Sequence, residues 1–281
     1  MKVFMIKKEN KDDYEYQQEL WHIQCGVLHK SFISGKRVTL PEEIHTIAEG
    51  AFENASVEFL CIPHYVTLCP GAFKNAKFKE IALPEGVRRI EDHTFSDCEN
   101  LNMVYGLNSV TYIGRSAFSG CISLTEWETE QVLDMIDENA FAGSGLTSLQ
   151  VKCKMIGKKA FWNCGSLTRA VLEDVSMIDD GAFARCTSLA ELHLNEPLLR
   201  IGDHAFRECT HLTSVTLPQS LLECGYKCFA DIQGLCVEAP NHLRTLLEDE
   251  HMLGRPEKDY KDLYFEGSQT VFEDSTKIHY W

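Results

Sequence analysis

Cysteine is the residue type in this chain that could support the most chemistry, since twelve cysteines occur among 281 residues. Thiolates act as nucleophiles and as metal ligands, whereas an unreactive cysteine behaves as a small, often buried hydrophobe. Five of the twelve lie three residues after a phenylalanine: Cys98, Cys121, Cys164, Cys186 and Cys209. Metal ligands must converge to about 2.3 Å from the ion. Cysteines that recur once per repeat instead form a column spaced by the distance between strands, so they do not converge on one point. We therefore predict a buried column and no metal site.

A second cysteine group, Cys224, Cys228 and Cys236, is the only local cluster in the sequence. Cys224 and Cys228 replace apolar residues of the repeat described below, which favours core filling over zinc binding. Because no targeting signal places the chain in an oxidising compartment, all twelve cysteines are expected to be free thiols. The alternative is an enzyme or thiol-reactive protein that uses Cys228 or Cys236.

Other catalytic arrangements often leave a recognisable motif in the sequence. The sequence contains no glycine-rich phosphate loop, no G-x-S-x-G, no H-E-x-x-H and no metal-type C-x-x-C. Its eleven histidines are scattered, although a Cys–His pair brought together by folding would leave no local pattern. We predict no catalytic residues and no cofactor.

The elements that position these residues come from a repeat, shown best by the segment from Arg200 to Pro218. Nine phenylalanines mark its copies, 20 to 23 residues apart: Phe52, Phe73, Phe95, Phe118, Phe141, Phe161, Phe183, Phe206 and Phe229. The residue before the phenylalanine is alanine in seven copies, and an isoleucine or leucine lies five residues before it in eight. A unit of this kind buries its apolar face only by stacking on its neighbours.

Each unit is predicted to contain one short strand and one short helix or turn. The strand follows from L-x-x-V-x-L, in which alternate side chains point inward. Trp127 takes the position that Val104 and Leu192 hold in other units, and nothing in the sequence indicates how the interior accommodates it. Strands are predicted near Val104, Trp127, Leu149, Ala170, Leu192 and Val215.

The repeat I-G-x-x-A-F-x-x-C-x-x-L-x-x-V-x-L-P resembles the BspA-like (Treponema pallidum-type) leucine-rich repeat family over residues 26 to 237. The resemblance implies a curved solenoid with a parallel sheet, a binding or adhesin-like role, often at a bacterial surface, and no catalytic residues. The expected fold class is an α/β repeat. It is a right-handed solenoid with one curved parallel sheet, short helices or turns on the opposite side, and terminal caps.

Three segments are expected along the chain. Residues 1–46 form an N-terminal capping segment, residues 47–237 the repeat array, and residues 238–281 a C-terminal cap of one helix and strands. The helix is predicted from Asn241 as a possible N-cap residue, followed by Leu243, Leu246 and Leu247 at helical spacing.

The formal net charge of −15 argues against nucleic acid and anionic membranes as main partners, because both require a basic surface. Solubility is the simpler reading of this charge. No apolar run approaches the roughly 18 residues of a membrane span, so no membrane insertion is expected. The N-terminus lacks the apolar core of a signal peptide. A cytoplasmic protein is expected, with the cell surface or secretion as the alternative if the chain is a mature or truncated form.

Strand alternation also predicts which side chains point away from the core, and with them a binding surface for a basic or extended protein partner. Aromatic anchors with a charged rim are typical of protein interfaces. The alternatives are a solvated face without a ligand, or a site in the caps. The predicted binding residues are Phe59, Glu80, Met103, Tyr105, Glu126, Glu128, Arg169, Glu191 and His193.

Overall fold

Short strands form almost all of the regular structure in the part of the chain that the structure describes. The computed structural model describes residues 21–127 and 129–243, together with the backbone of residues 260–265. Within these residues there are twenty strands and two short 3-10 helices, Leu107–Ser109 and Asn241–Leu243. The strands are β1 (Trp21–Gln24), β2 (Val27–Ser31), β3 (Ser34–Thr39), β4 (Thr46–Ile47), β5 (Ser56–Cys61), β6 (Thr67–Leu68), β7 (Glu80–Ala82), β8 (Arg89–Ile90), β9 (Met103–Tyr105), β10 (Tyr112–Ile113), β11 (Leu133–Ile136), β12 (Ser148–Ile156), β13 (Arg169–Glu173), β14 (Met177–Ile178), β15 (Glu191–Leu194), β16 (Arg200–Ile201), β17 (Ser214–Thr216), β18 (Glu223–Cys224), β19 (Leu235–Ala239) and β20 (Tyr260–Phe265).

The predicted parallel strands form a main ladder, built from the L-x-x-V-x-L segments. It runs through β3, β5, β7 and β9, then through β12, β13 and β15, and then through β17, β19 and β20. Every pairing within these groups is parallel. The register places Phe59 beside Glu80, and Glu80 beside Met103. The predicted solenoid of stacked parallel strands is confirmed.

A second ladder of very short strands was not predicted, since the sequence indicated one sheet. One part of it joins β2, β4 and β6, and another runs from β8 through β10, β11, β12, β14 and β16 to β18. Most of these strands have two residues and end on the repeat isoleucine, such as Ile113, which is wholly buried. Two residues are too few to show alternation in a sequence. The buried backbone groups nevertheless need partners, and the neighbouring units supply them.

The phenylalanine side of each unit is a tight turn. In the unit around Phe141, Asn139 and Gly143 have φ of 55° and 66°, a left-handed conformation that glycine and asparagine adopt most readily. The Phe141 amide donates a hydrogen bond of 2.7 Å to the carbonyl of Ala160 in the next unit. The turns therefore stack through their backbones as the strands do. No helix in the described ranges is long and apolar enough to span a membrane.

Glycine follows the repeat isoleucine in several units because neighbouring units approach closely at that point. A Cβ on Gly202 would lie 2.6 Å from the backbone nitrogen of Asp180 in the preceding unit. Beside this contact, the Asp203 amide donates to Oδ1 of Asp180 over 2.8 Å. The glycine after the repeat isoleucine is thus required by the close approach of neighbouring units.

The nine phenylalanines form the predicted buried column. All of them are wholly buried, and consecutive ring centroids are 4.9 to 5.3 Å apart. From Phe73 to Phe229 the successive ring planes are within 3° to 12° of parallel. Parallel offset rings at this spacing are a favourable aromatic arrangement, so the column contributes directly to the cohesion between units.

The main ladder is interrupted at Trp127, where the predicted strand is wrong. β9 ends the first group, and the next main-ladder strand among the described residues is β12. The Trp127 side chain is only 4% exposed. Its ring packs edge-on against Phe118 at 5.1 Å and Phe141 at 4.9 Å between centroids. The indole therefore reaches the phenylalanine column, and the backbone that holds it leaves the line of the ladder.

Both ends of the described array are covered by additional structure. At the N-terminal end β1 pairs antiparallel with β2, and β2 leads into the second ladder. At the other end β20 pairs parallel with β19. Asn241 begins a 3-10 helix, while the remainder of the predicted helix, with Leu246 and Leu247, lies outside the described residues. The proposed segment boundaries stay predictions.

Candidate functional site

The strand face is the surface formed by the main-ladder side chains that point away from the core. Among the predicted binding residues, Phe59 and Glu80 are partly exposed, and six others are exposed: Met103, Tyr105, Glu126, Arg169, Glu191 and His193. Glu128 lies outside the described residues. The predicted inward–outward alternation of side chains therefore agrees with the exposure of these positions.

Four of these residues form one contiguous group, which we call the N-terminal patch: Phe59, Glu80, Met103 and Tyr105. The Phe59 and Tyr105 ring centroids are 6.4 Å apart, and the Tyr105 hydroxyl donates to Oε2 of Glu80 over 3.2 Å. The Arg37 guanidinium lies 4.4 Å from the Phe59 ring centroid. The patch thus combines aromatic side chains with a carboxylate and is bordered by one stacked arginine.

Tyr105 is the most prominent aromatic residue of the patch. Its side chain is 45% exposed, and that of Met103 beside it is 37% exposed. Desolvation, together with the neighbouring Glu80 carboxylate, raises the pKa of the Tyr105 phenol above its usual value. At neutral pH the phenol therefore keeps its proton and can act as a hydrogen-bond donor.

Arg169, Glu191 and His193 lie elsewhere on the strand face. In register, Arg169 is three units beyond Met103, which corresponds to about 14 Å at the spacing of parallel strands. Arg169 pairs with Glu191 through Nε and Oε2 at 3.1 Å, so the charges of this pair largely compensate each other. The structure therefore does not join these three residues to the N-terminal patch.

A small pocket opens where the main ladder is interrupted, and the sequence analysis did not predict it. Its volume is about 70 Å³, and it is lined by Met103, Val104, Leu107, Leu124, Glu126 and Trp127. The indole nitrogen of Trp127 is buried without an acceptor among the described residues. In the sequence, the one sign of this pocket is Trp127, which takes a position that valine or leucine holds in other units.

The cysteine column takes part in the packing between units. Each thiol donates to the carbonyl of the phenylalanine one unit earlier, at 3.0 to 3.2 Å: Cys98 to Phe73, Cys121 to Phe95, Cys164 to Phe141, Cys186 to Phe161 and Cys209 to Phe183. Burial raises the pKa of Cys98 to about 12 and that of Cys209 to about 12. Cys98 and Cys209 are therefore protonated donors, the opposite of reactive thiolates. Cys164 differs, since a hydrogen bond from the Cys186 thiol lowers its pKa, but its side chain is wholly buried.

In the C-terminal cysteine cluster, Cys228 is not an activated thiol. Cys228 is wholly buried, and burial raises its pKa well above the usual value. Cys224 and Cys236 are partly exposed. The described residues contain no group of three or more metal-ligating side chains. All twelve cysteines fall within the described ranges and form no disulfide there, while their redox state in solution stays a prediction.

Comparison with known proteins adds a family and a fold. Six copies of the BspA type leucine rich repeat region match residues 27–70, 66–190 and 176–249. No curated protein matches the sequence. The solved structure of the pneumococcal vaccine antigen PcpA is 17% identical, with 94% of this chain and 93% of that chain covered and a TM-score of 0.51. This similarity concerns the fold alone.

Two further solved structures are similar at lower TM-scores. A leucine-rich repeat protein of T. pallidum is 24% identical, covers 71% of this chain and 91% of its own length, and has a TM-score of 0.49. A leucine-rich repeat protein from Bacteroides ovatus is 19% identical, with 100% and 99% covered and a TM-score of 0.41.

Proposed function

The chain belongs to the BspA-type leucine-rich repeat family, and on that premise we propose that it is a non-catalytic protein-binding module whose ligand site is the N-terminal patch. One observation carries this proposal: an exposed tyrosine and methionine lie beside a partly exposed phenylalanine and a carboxylate on one face. Aromatic residues and methionine are enriched at protein interfaces, where a few such anchors supply most of the binding energy.

The proposed partner is a basic or extended protein segment. The chain has a formal net charge of −15, and Glu126, in the unit that follows the patch, has no ion pair among the described residues. The outward side chains follow one another at about 4.8 Å per unit, a linear arrangement that suits an extended segment. Electrostatic attraction of this kind speeds association, and the rate falls as salt rises.

A thiol-based enzyme is the alternative function, and the structure offers it little support. Catalytic cysteines need a depressed pKa and an accessible thiol. Cys228 has a raised pKa and no exposed surface. The non-catalytic assignment accordingly remains part of the proposal.

Two substitutions provide the test, one in the patch and one beside it, once a partner has been isolated from native lysate and purified. We expect Tyr105→Ala to weaken binding of that partner at least tenfold, because truncating an aromatic anchor at a binding hot spot typically costs about 2 kcal/mol or more. Glu126→Lys should weaken it as well by placing a positive charge opposite a basic segment. Affinities would be measured by isothermal titration calorimetry.

Matched substitutions outside the patch serve as controls. Tyr65 is 90% exposed in the turn between β5 and β6, and Glu49 is exposed in a phenylalanine turn. Tyr65→Ala and Glu49→Lys should leave the affinity unchanged, and all four variants should unfold at the temperature of the original protein. Unaltered binding by both Tyr105→Ala and Glu126→Lys would move the site to the caps.

A further inference from the structure

We infer that the pocket at the interruption of the main ladder receives a lysine side chain of the bound partner. This inference rests on the proposed function and specifies what the partner must present. The pocket shares Met103 with the N-terminal patch. One segment lying on the patch could therefore place a single side chain in the pocket.

The size of the pocket restricts its occupant to part of one side chain. Pockets that bind small organic ligands usually measure about 300–1,000 Å³, whereas this one measures about 70 Å³. A cavity measured in this way needs about 10–15 Å³ to hold one water. The space thus suits a few waters, or the end of one linear side chain.

The lining selects an alkyl chain that ends in a cation. The walls are apolar, with Met103, Leu107 and Leu124 around the indole of Trp127, and Glu126 supplies the one ionised group. A lysine side chain places methylene groups on apolar surface and carries its charge at the tip. A hydrogen bond between that ammonium group and a carboxylate is among the stronger kinds. A purely apolar occupant would leave the carboxylate unused, and an acidic occupant would be repelled by it.

No cation of this chain competes for that place among the described residues. Arg37 is stacked on Phe59, and Arg169 is paired with Glu191. Among the residues that the structure describes, no side chain forms an ion pair with Glu126, and the neighbouring Glu80 accepts from Tyr105. The uncompensated charge at the pocket is therefore negative, which complements a lysine.

A titration with n-butylammonium chloride, a mimic of the lysine side chain, tests the inference on the full chain. The signal is the indole N–H resonance of Trp127 in a ¹H–¹⁵N spectrum, assigned by its loss in Trp127→Phe. We expect a saturable shift with weak affinity, because so small a ligand makes few contacts. n-Butanol and n-butyrate, which lack the positive charge, should produce no saturable shift.

The substitution Glu126→Gln keeps the size of the side chain and removes its charge. It should weaken butylammonium binding roughly tenfold, the usual effect of losing a charged hydrogen-bond partner, while Glu49→Gln should have no effect. Equal shifts with butylammonium and n-butanol, or no saturable shift with either, would overturn the inference. Either result would leave the proposed function open to its own test. Tyr105→Ala is measured with the partner itself and does not depend on the pocket.

Discussion

Replacing Phe183 with alanine is expected to lower the free energy of unfolding by about 3–5 kcal/mol. The ring is wholly buried between Phe161 and Phe206, at centroid distances of 4.9 and 5.3 Å. The units on both sides are held at fixed spacing by backbone hydrogen bonds, such as that from the Phe183 amide to the Ala205 carbonyl. The array therefore cannot close around the missing ring, and a cavity remains. Urea unfolding followed by circular dichroism measures the loss.

Phe52→Ala is the matched substitution at the N-terminal end of the column. Phe52 has a phenylalanine neighbour on one side within the described residues, Phe73 at 5.1 Å. Because units of a solenoid contact only their neighbours, this change should remove amide protection only near the first units. Phe183→Ala should remove it on both sides of the centre. Equal and uniform loss of hydrogen-exchange protection in the two variants would contradict the stacked-column account.

Trp127→Ala is the second substitution with a large expected effect, again about 3–5 kcal/mol of unfolding free energy. The ring lies between Phe118 and Phe141 and holds the chain where the main ladder is interrupted. Trp127→Phe should cost less than about 1.5 kcal/mol. It keeps an aromatic ring in place and removes a buried N–H that has no acceptor among the described residues, which offsets part of the lost contact area. Urea unfolding of both variants measures the difference.

Trp162→Ala is the control for the loss of a tryptophan as such. Trp162 is partly exposed, and the Arg185 guanidinium lies 5.9 Å from its ring centroid. We expect this substitution to cost about 1 kcal/mol or less, as for an exposed cation–π contact. Similar costs for Trp127→Ala and Trp162→Ala would show that the interrupted ladder does not depend on Trp127.

The fold could be predicted where one residue type recurs in a position of constant environment. Phenylalanine marked the buried column because each copy meets the same neighbours in adjacent units, as Phe161 meets Phe141 and Phe183. The outward positions of the main ladder followed from alternation, which strand geometry imposes on any sequence. Tyr105 and Met103 could therefore be placed on one surface before the structure was known.

The second ladder, including its passage through β12 beside the main ladder, could not be predicted in this way. A strand such as Tyr112–Ile113 contains a single inward residue, so it has no periodicity to detect. The cysteine–carbonyl bonds were equally hidden, because the acceptor of Cys186 is a backbone atom 25 residues away. Burial of the cysteine column could be predicted from residue type. Its hydrogen bonds could not, because they depend on how closely the units stack.

The candidate site was predictable in part for the same reason. Alternation identified the exposed positions but gave equal weight to Arg169 and Tyr105. Their separation, and the ion pair that occupies Arg169, required coordinates. The pocket beside Met103 depends on the departure of Trp127 from the ladder, an exception that a repeat pattern can flag but cannot describe.

Site-specific photo-crosslinking to the purified partner tests the central claim most directly, namely that the N-terminal patch is the binding surface. A benzophenone amino acid would be placed at position 103 in one sample and at position 65 in another. Met103 belongs to the patch, whereas Tyr65 is exposed outside it. The account predicts a covalent adduct with the partner from position 103 and none from position 65. An adduct from position 65 alone, with the partner bound in both samples, would contradict it.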